Sequence, residues 1–250
     1  MTELIVSYKS NNYKHEAFDL AQRLEVECLS HEESKEVEDH INVYFLIVNK
    51  SNHYLRKGLS RKYKPIFCNF SDWATNYSDP LLTKCLKGLP DGFRAVDTTA
   101  GFGKDALQIA KDIRCKNVTL IEKEPWMFHL LKDSYNKVED NVTSVYVNKF
   151  KILNMDSKNF LDKNKEPYDL IYIDPMFSGV GKSKAKKTLQ TLRELTTQNK
   201  QSNLLGAAIA SLPRRVVVKR HKNSNHLEGR VPNYSISGKV VRYDIYNLNS

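Results

Sequence analysis

Two short stretches, Leu170-Ile-Tyr-Ile173 and Val216-Val-Val218, are apolar at every position rather than at every second one. A strand presents its side chains alternately to two faces, so a run with no polar alternate must be covered on both. Such strands belong inside a parallel sheet between helix layers. The surrounding chain supplies the layers: from Phe93 onward, strand-like runs at 93–97, 118–122, 151–155, 168–174 and 214–219 alternate with helical periodicity at 105–113, 125–138, 157–162 and 184–197. In the first of these helices Ala106, Ile109, Ala110 and Ile113 share a face. Two extended segments, 234–237 and 239–247, close the chain around Ser237-Gly238-Lys239 and read as a hairpin. The pattern predicts an α/β fold with an open, doubly wound sheet of seven strands, five parallel plus a C-terminal β-hairpin.

At 250 residues the chain suits one enlarged domain with an appendage. Strands near 4–8 and 42–48 and a helix near 16–26 form a small N-terminal α/β subdomain, residues 1–77. Ser78-Asp79-Pro80 then opens a helix, with a capping side chain ahead of a proline in the first turn, and starts the main domain, 78–250.

Several classes are excluded early. The longest apolar run, Val43-Tyr-Phe-Leu-Ile-Val48, falls far short of the roughly 18 residues a bilayer crossing needs. The opening MTELIVSYKSNN lacks a basic region followed by a long apolar stretch, so no secretory leader is expected. Cys28, Cys68, Cys85 and Cys115 include no C-x-x-C pair, which predicts reduced thiols, no zinc or other metal site, and a cytoplasmic setting. The formal charge of +10 is unevenly distributed: residues 178–250 hold 14 Lys/Arg against 3 Asp/Glu, while the rest is nearly neutral. A basic field confined to one region would concentrate a polyanion there, and phosphodiester backbones are the commonest candidate.

The chemistry concentrates where strands end. Ala95-Val-Asp-Thr-Thr-Ala-Gly-Phe-Gly-Lys-Asp105 turns a strand into a helix. Gly101 and Gly103, with Ala100 beside them, permit a tight turn and close approach of a nucleoside cofactor. The third glycine of G-x-G-x-x-G is missing, and Asp97 and Asp105 would repel a pyrophosphate, yet they tolerate an ammonium and a sulfonium. That sign favours S-adenosylmethionine over a dinucleotide. Glu122 ends the next strand at the spacing where a carboxylate accepts both ribose hydroxyls. Asp156 either caps the following helix or accepts the adenine amino group, or both, with Ser157 beside it.

The sharpest motif is Asp174-Pro-Met-Phe177, of the D-P-P-[YF] class. An amine conjugated to a nucleobase is a poor nucleophile because its lone pair is delocalised into the ring. A fixed carboxylate (Asp174) and a carbonyl (Pro175) can accept its two hydrogens, while an aromatic face (Phe177) holds the base flat. Lys182, Lys184, Lys186 and Lys187 follow this turn, and Lys219, Arg220 and Lys222 end the fifth strand; all are candidates to grip phosphates around an extruded base.

These segments resemble the small-subunit ribosomal RNA guanine-N2 methyltransferases of the RsmJ type. The likeness rests on Val96–Asp105, Leu120-Ile-Glu-Lys-Glu-Pro125, Tyr172-Ile-Asp-Pro-Met-Phe177, Arg215-Val-Val-Val-Lys-Arg220 and Arg242-Tyr-Asp-Ile-Tyr246. It implies a class I S-adenosylmethionine-dependent methyltransferase fold, Rossmann-like. It also implies cofactor contacts at Lys104-Asp105, Glu122-Lys123, Asp156-Ser157 and Asp174, and methylation of guanosine N2 in 16S ribosomal RNA or the 30S subunit. Asn69-Phe-Ser-Asp-Trp-Ala-Thr-Asn-Tyr77 stands where members often carry a basic, glycine-rich segment. Alternatives are N6-adenine methylation of DNA or RNA, a ribosome-assembly factor that binds RNA without catalysis, and, more distantly, a nicotinamide oxidoreductase.

Overall fold

A computed structural model describes residues 3–37, 43–58, 63–175, 195 and 203–248. In chain order the elements are β1 (Glu3–Tyr8), α1 (Lys14–Leu24), β2 (Cys28–Ser30), α2 (His31–Glu36), β3 (Val43–Val48), β4 (Tyr54–Lys57), α3 (Phe70–Asn76), α4 (Pro80–Cys85), β5 (Phe93–Asp97), α5 (Lys104–Ala110) and β6 (Cys115–Glu122). There follow α6 (Pro125–Asn136), α7 (Asn141–Val147), β7 (Phe150–Asn154), α8 (Ser157–Lys163), β8 (Leu170–Ile173), α9 (Leu204–Ala210), β9 (Arg215–His221), β10 (Tyr234–Ser237) and β11 (Val241–Asn247). The helix expected over 184–197 lies outside the described residues, apart from Leu195.

The described residues pack as two compact units. The first runs to Cys68 and includes Pro125–Lys137. Its sheet has the order β2-β1-β3-β4, with β4 antiparallel to β3. Every residue of β3 is buried, as its unbroken apolar run requires. Helix α6 joins this unit through Asp133 Oδ2, which accepts from the His53 N–H at 2.9 Å, and Ser134 Oγ, which donates to the Cys68 carbonyl at 3.1 Å.

The second unit carries a seven-stranded sheet of order β10-β11-β9-β8-β5-β6-β7. All strands are parallel except β11, which runs antiparallel to both β9 and β10. The period of two sorts side chains cleanly. Val96, Ile171, Ile173, Val216, Val218 and Tyr246 turn to one face and form a core with Phe160 and Leu161 of α8 and Leu204, Leu205, Ala207 and Ala208 of α9. The register pairs Asp97 with Tyr172, Tyr172 with Val217 and Lys219 with Tyr243, so these residues share the opposite face.

Three local features depart from the pattern read in sequence. Helix α5 ends at Ala110, and Ile113, expected on its apolar face, is 94% exposed. The Asp112 carboxylate accepts from the Arg114 N–H and the Asp112 carbonyl from the Cys115 N–H, closing a turn that returns the chain to the sheet. Helix α7 is an added element, capped by Asp140, whose carboxylate accepts from the Thr143 N–H at 2.7 Å. Helix α9 is another; Glu228 supplies its cap, accepting from the Leu205 and Gly206 N–H groups at 2.9 and 3.0 Å.

Asp79 caps α4 as expected, accepting from the Leu81 and Leu82 N–H groups at 3.0 and 2.9 Å, and its other oxygen accepts from the Tyr243 hydroxyl at 2.6 Å. Asp79→Ala removes the cap and leaves that hydroxyl without its partner, so it should destabilise the protein by about 2 kcal/mol. Asp79→Ser, which restores the cap alone, should recover part of the loss; equal urea midpoints for the Ala and Ser variants would mean that the cap contributes nothing, and a Ser variant as stable as wild type would mean the same of the tyrosine contact.

Candidate active site

The carboxyl ends of β5, β6, β7 and β8 surround the turn between β5 and α5. Connections leave β5 toward β6 on one side, while β8 lies on the other, and at such a reversal of strand order the loops diverge and leave a crevice. Gly101 and Gly103 adopt φ of +53° and +77°, a region a side chain disfavours, which allows the chain to turn sharply into α5.

Glu122 at the end of β6 is nearly buried and holds this turn in place. Its Oε2 accepts from the Gly101 N–H at 2.9 Å and its Oε1 from the Glu124 N–H at 2.8 Å. Burial raises its pKa, and these two backbone donors pull it back. Each oxygen has a further lone pair, so the same carboxylate can serve a ribose diol. Lys123 points its ammonium to within 3.8 Å of Glu124.

Asp97 is 1% exposed, and its Oδ1 accepts from the Thr99 N–H at 3.0 Å. Burial pushes its pKa up to about 8; the Thr99 N–H opposes the rise and the charges of Asp105 and Asp174 add to it. Thr99 also fixes the turn after β8, because its Oγ1 accepts from the Asp174 N–H at 2.6 Å. Asp156 caps α8, accepting from the Asn159 N–H at 2.9 Å, and buried Ser157 donates its hydroxyl to the Thr98 carbonyl at 2.5 Å. The Ser157 side chain therefore braces the β5 loop from below.

Asp105 is held by three side chains. Its Oδ2 accepts from the Tyr172 hydroxyl at 2.6 Å and from the Lys219 ammonium at 2.5 Å, and its Oδ1 from the Tyr77 hydroxyl at 3.3 Å. Lys219 also reaches Asp174 Oδ2 at 3.0 Å. Burial raises the Asp174 pKa to about 6, with Lys219 opposing and Asp105 reinforcing the rise. Tyr172 and Asp174 are two residues apart and so point to one side of β8, which is what brings Asp174 beside Lys219 on the neighbouring strand. The sequence pointed to neither Thr99, Tyr77 nor Tyr172, although the alternation of β8 would have placed Tyr172 with Asp174.

The proposed basic residues separate. Lys219 was expected to face phosphates; its side chain is 18% exposed and its ammonium is committed to two carboxylates. The Arg220 guanidinium donates to the Asn225 carbonyl at 2.9 Å, and Lys222 is exposed. Lys104 lies 4.0 Å from the Tyr77 ring centroid and 5.5 Å from that of Trp73. Pro175 is described at the mouth of the turn, whereas Phe177, Lys182, Lys184, Lys186 and Lys187 lie outside the described residues.

A seven-stranded sheet with one antiparallel strand, a glycine turn after β5 and acids at the neighbouring strand ends define the S-adenosylmethionine-dependent methyltransferase class. Comparison with known proteins agrees. Residues 31–248 match the family model described as "Putative SAM-dependent methyltransferase". A ribosomal RNA small subunit methyltransferase J from Francisella philomiragia is 32% identical, over 76% of this chain and 83% of its own. One of the same name from Francisella tularensis subsp. novicida is 29% identical, over 86% and 94%. In fold, a SAM-dependent methyltransferase from Neisseria gonorrhoeae superposes with a TM-score of 0.72 over 99% of this chain and 96% of its own, at 20% identity. The chain belongs to the ribosomal RNA small subunit methyltransferase J family, and S-adenosylmethionine is its methyl donor.

The buried Asp97 carries a consequence for stability. Folded protein keeps Asp97 protonated up to about pH 8, whereas an unfolded chain ionises it near the ordinary 3.8. Between those values the folded state binds the extra proton, so the group's contribution weakens as pH rises across the window. Asp97→Asn cannot ionise and should lose less stability than the wild type between pH 5 and pH 8 in urea titrations; parallel losses would show Asp97 ionised in the fold.

Proposed function

We propose that this protein transfers the methyl group of S-adenosylmethionine to the exocyclic N2 amine of a guanosine in 16S ribosomal RNA, as free RNA or within the 30S subunit, in the cytoplasm. The observation that carries the reading is the fixation of Asp174 at the mouth of the glycine crevice, with its N–H on Thr99 and its Oδ2 on Lys219. The names of the family relatives supply the RNA class. Bound S-adenosylmethionine supplies a methyl group on a positively charged sulfur, already activated for displacement. Asp97, Gly101, Gly103 and Glu122, with Lys104, Lys123, Asp156 and Ser157 around them, form its cradle.

The residues of the turn do the rest. Asp174 and the Pro175 carbonyl would accept the two N2 hydrogens and the Phe177 ring would hold the guanine plane, aiming the nitrogen lone pair at the methyl group. The bound sulfonium would supply the methyl group and keep the electron pair of the broken S–C bond, so that positive charge would develop on N2. The hydrogen bond to Asp174 therefore strengthens toward the transition state, and the carboxylate takes the proton that N2 must lose. Lys182, Lys184, Lys186, Lys187, Arg220 and Lys222 are assigned to phosphates flanking the extruded nucleotide.

Purified protein incubated with labelled cofactor and either naked 16S RNA or unmodified 30S subunits should yield N2-methylguanosine after digestion to nucleosides. N6-methyladenosine as the product would overturn the base assignment, and calorimetry without any cofactor binding would favour a non-catalytic RNA binder. Asp174→Asn should retain cofactor affinity within a few-fold and lose roughly 100- to 1,000-fold in turnover.

A further inference from the structure

We propose that Lys219 is a positioning residue for the methyl transfer rather than a phosphate contact: its ammonium clasps Asp105 of the cofactor-loop helix to Asp174 of the catalytic turn and holds the Asp174 carboxylate charged and aimed. The inference rests on the methyltransferase reading of this site and names a further group in it.

The geometry argues for the clasp. Lys219 projects from β9 on the sheet face that also carries Asp97, Tyr172 and Tyr243, and it meets Asp105 at 2.5 Å and Asp174 at 3.0 Å. With a side chain 18% exposed between carboxylates 13% and 26% exposed, it has left most of its hydration behind. Removing one ion from such a cluster leaves the others uncompensated, so a phosphate could recruit Lys219 only by stranding two acids. Of the other groups around Asp174, the Arg220 guanidinium on β9 favours its charge without meeting it directly, and the rest do not. Asp105 on α5 and Asp97 at the end of β5 are acids, Tyr172 on β8 and Tyr77 before α4 direct their hydroxyls to Asp105, and Tyr243 on β11 directs its own to Asp79. Lys219 is the cation that meets Asp174 among the described residues.

The clasp also gives the two carboxylate oxygens different roles. Lys219 takes Oδ2, which assigns Oδ1 to the incoming amine. Because the same ammonium holds Asp105, the helix that follows the glycine turn and the turn that presents the base move as one piece. Cofactor floor and acceptor are thereby kept in register.

The test compares wild type, Lys219→Met and Lys219→Arg in four measurements: thermal melting, kcat and KM across pH, RNA affinity across salt, and ¹³C NMR titration of the Asp174 carboxyl in protein without RNA. Lys219→Met should lower kcat roughly 100-fold. It should move the acid limb of kcat and the Asp174 titration to higher pH by about one unit or more, since an adjacent cation is gone. KM for RNA and the salt dependence of binding should stay near wild type, and Lys219→Arg should restore part of kcat and return the titration toward wild type. Unchanged kcat with weaker, less salt-dependent RNA binding would make Lys219 a phosphate contact and overturn the proposal. So would an Asp174 titration that does not move, or an Arg variant as impaired as Met. If the wild type leaves guanosine unmethylated, the functional reading fails by itself, while the carboxyl titration of the Met variant, or of Lys219→Gln should Met not fold, still decides the clasp.

Discussion

An ammonium between two carboxylates, in a place largely closed to water, is the contact on which the upper end of the sheet depends. Three acids, Asp97, Asp105 and Asp174, converge there. Their mutual repulsion and lost hydration would favour protonation or separation. Lys219 removes much of the repulsion, and the Tyr172 and Tyr77 hydroxyls satisfy what remains of Asp105. A hydrophobic replacement of the whole cluster would pack as well or better, since buried ion pairs are weak contributors to stability. Their value lies in holding charge at a defined point, and Asp97, neutral through most of the physiological range, reduces the number of negative charges that must be accommodated.

Sheet order explains why that point lies beside the glycine turn. The chain winds outward from β5 through β6 to β7, then crosses to β8 and β9 on the other side. Each parallel strand delivers its following loop to the same edge, so Asp97, Glu122, Asp156 and Asp174 arrive together despite wide separation in sequence. Glu122 and Thr99 then make the loops interdependent. One fastens the Gly101 N–H, the other the Asp174 N–H. The end of β6 and the turn after β8 are thus anchored by hydrogen bonds to the same short segment, residues 97–101, and neither can shift without disturbing the other.

Much of this was legible because it depends on local pattern. Unbroken apolar runs announced buried parallel strands, Asp79-Pro80 announced a capped helix, and acids at strand ends announced a polar crevice. What escaped was set by distance. Nothing near residue 204 signals that Glu228 will cap α9, and Lys219 read as part of a basic run because its partners lie 114 and 45 positions away. Ile113 fits the helical period but follows a turn that the Asp112–Arg114 contacts impose. Asp156 left two roles open, and the cap is visible in the fold. Charge patterning gives the sign of a neighbourhood; only the register of β8 against β9 decides whether a lysine within it looks outward or in.

The segment 69–77 illustrates how a different local solution can support the same edge. Over these residues the chain forms α3 and fastens it to α5. Lys111 donates to the Trp73 and Tyr77 carbonyls at 2.8 and 2.6 Å, ending the helix, and Lys104 lies over the Tyr77 and Trp73 rings. Cation–π contact draws the ammonium inward against apolar surface, so the positive charge here serves to stiffen the wall as well as to face solvent. Tyr77 completes the link by donating to Asp105. An aromatic helix thereby reaches the same acid that Lys219 holds from β9, and α5 is gripped from two sides. A packed helix thus fixes Asp105 from the side opposite β9.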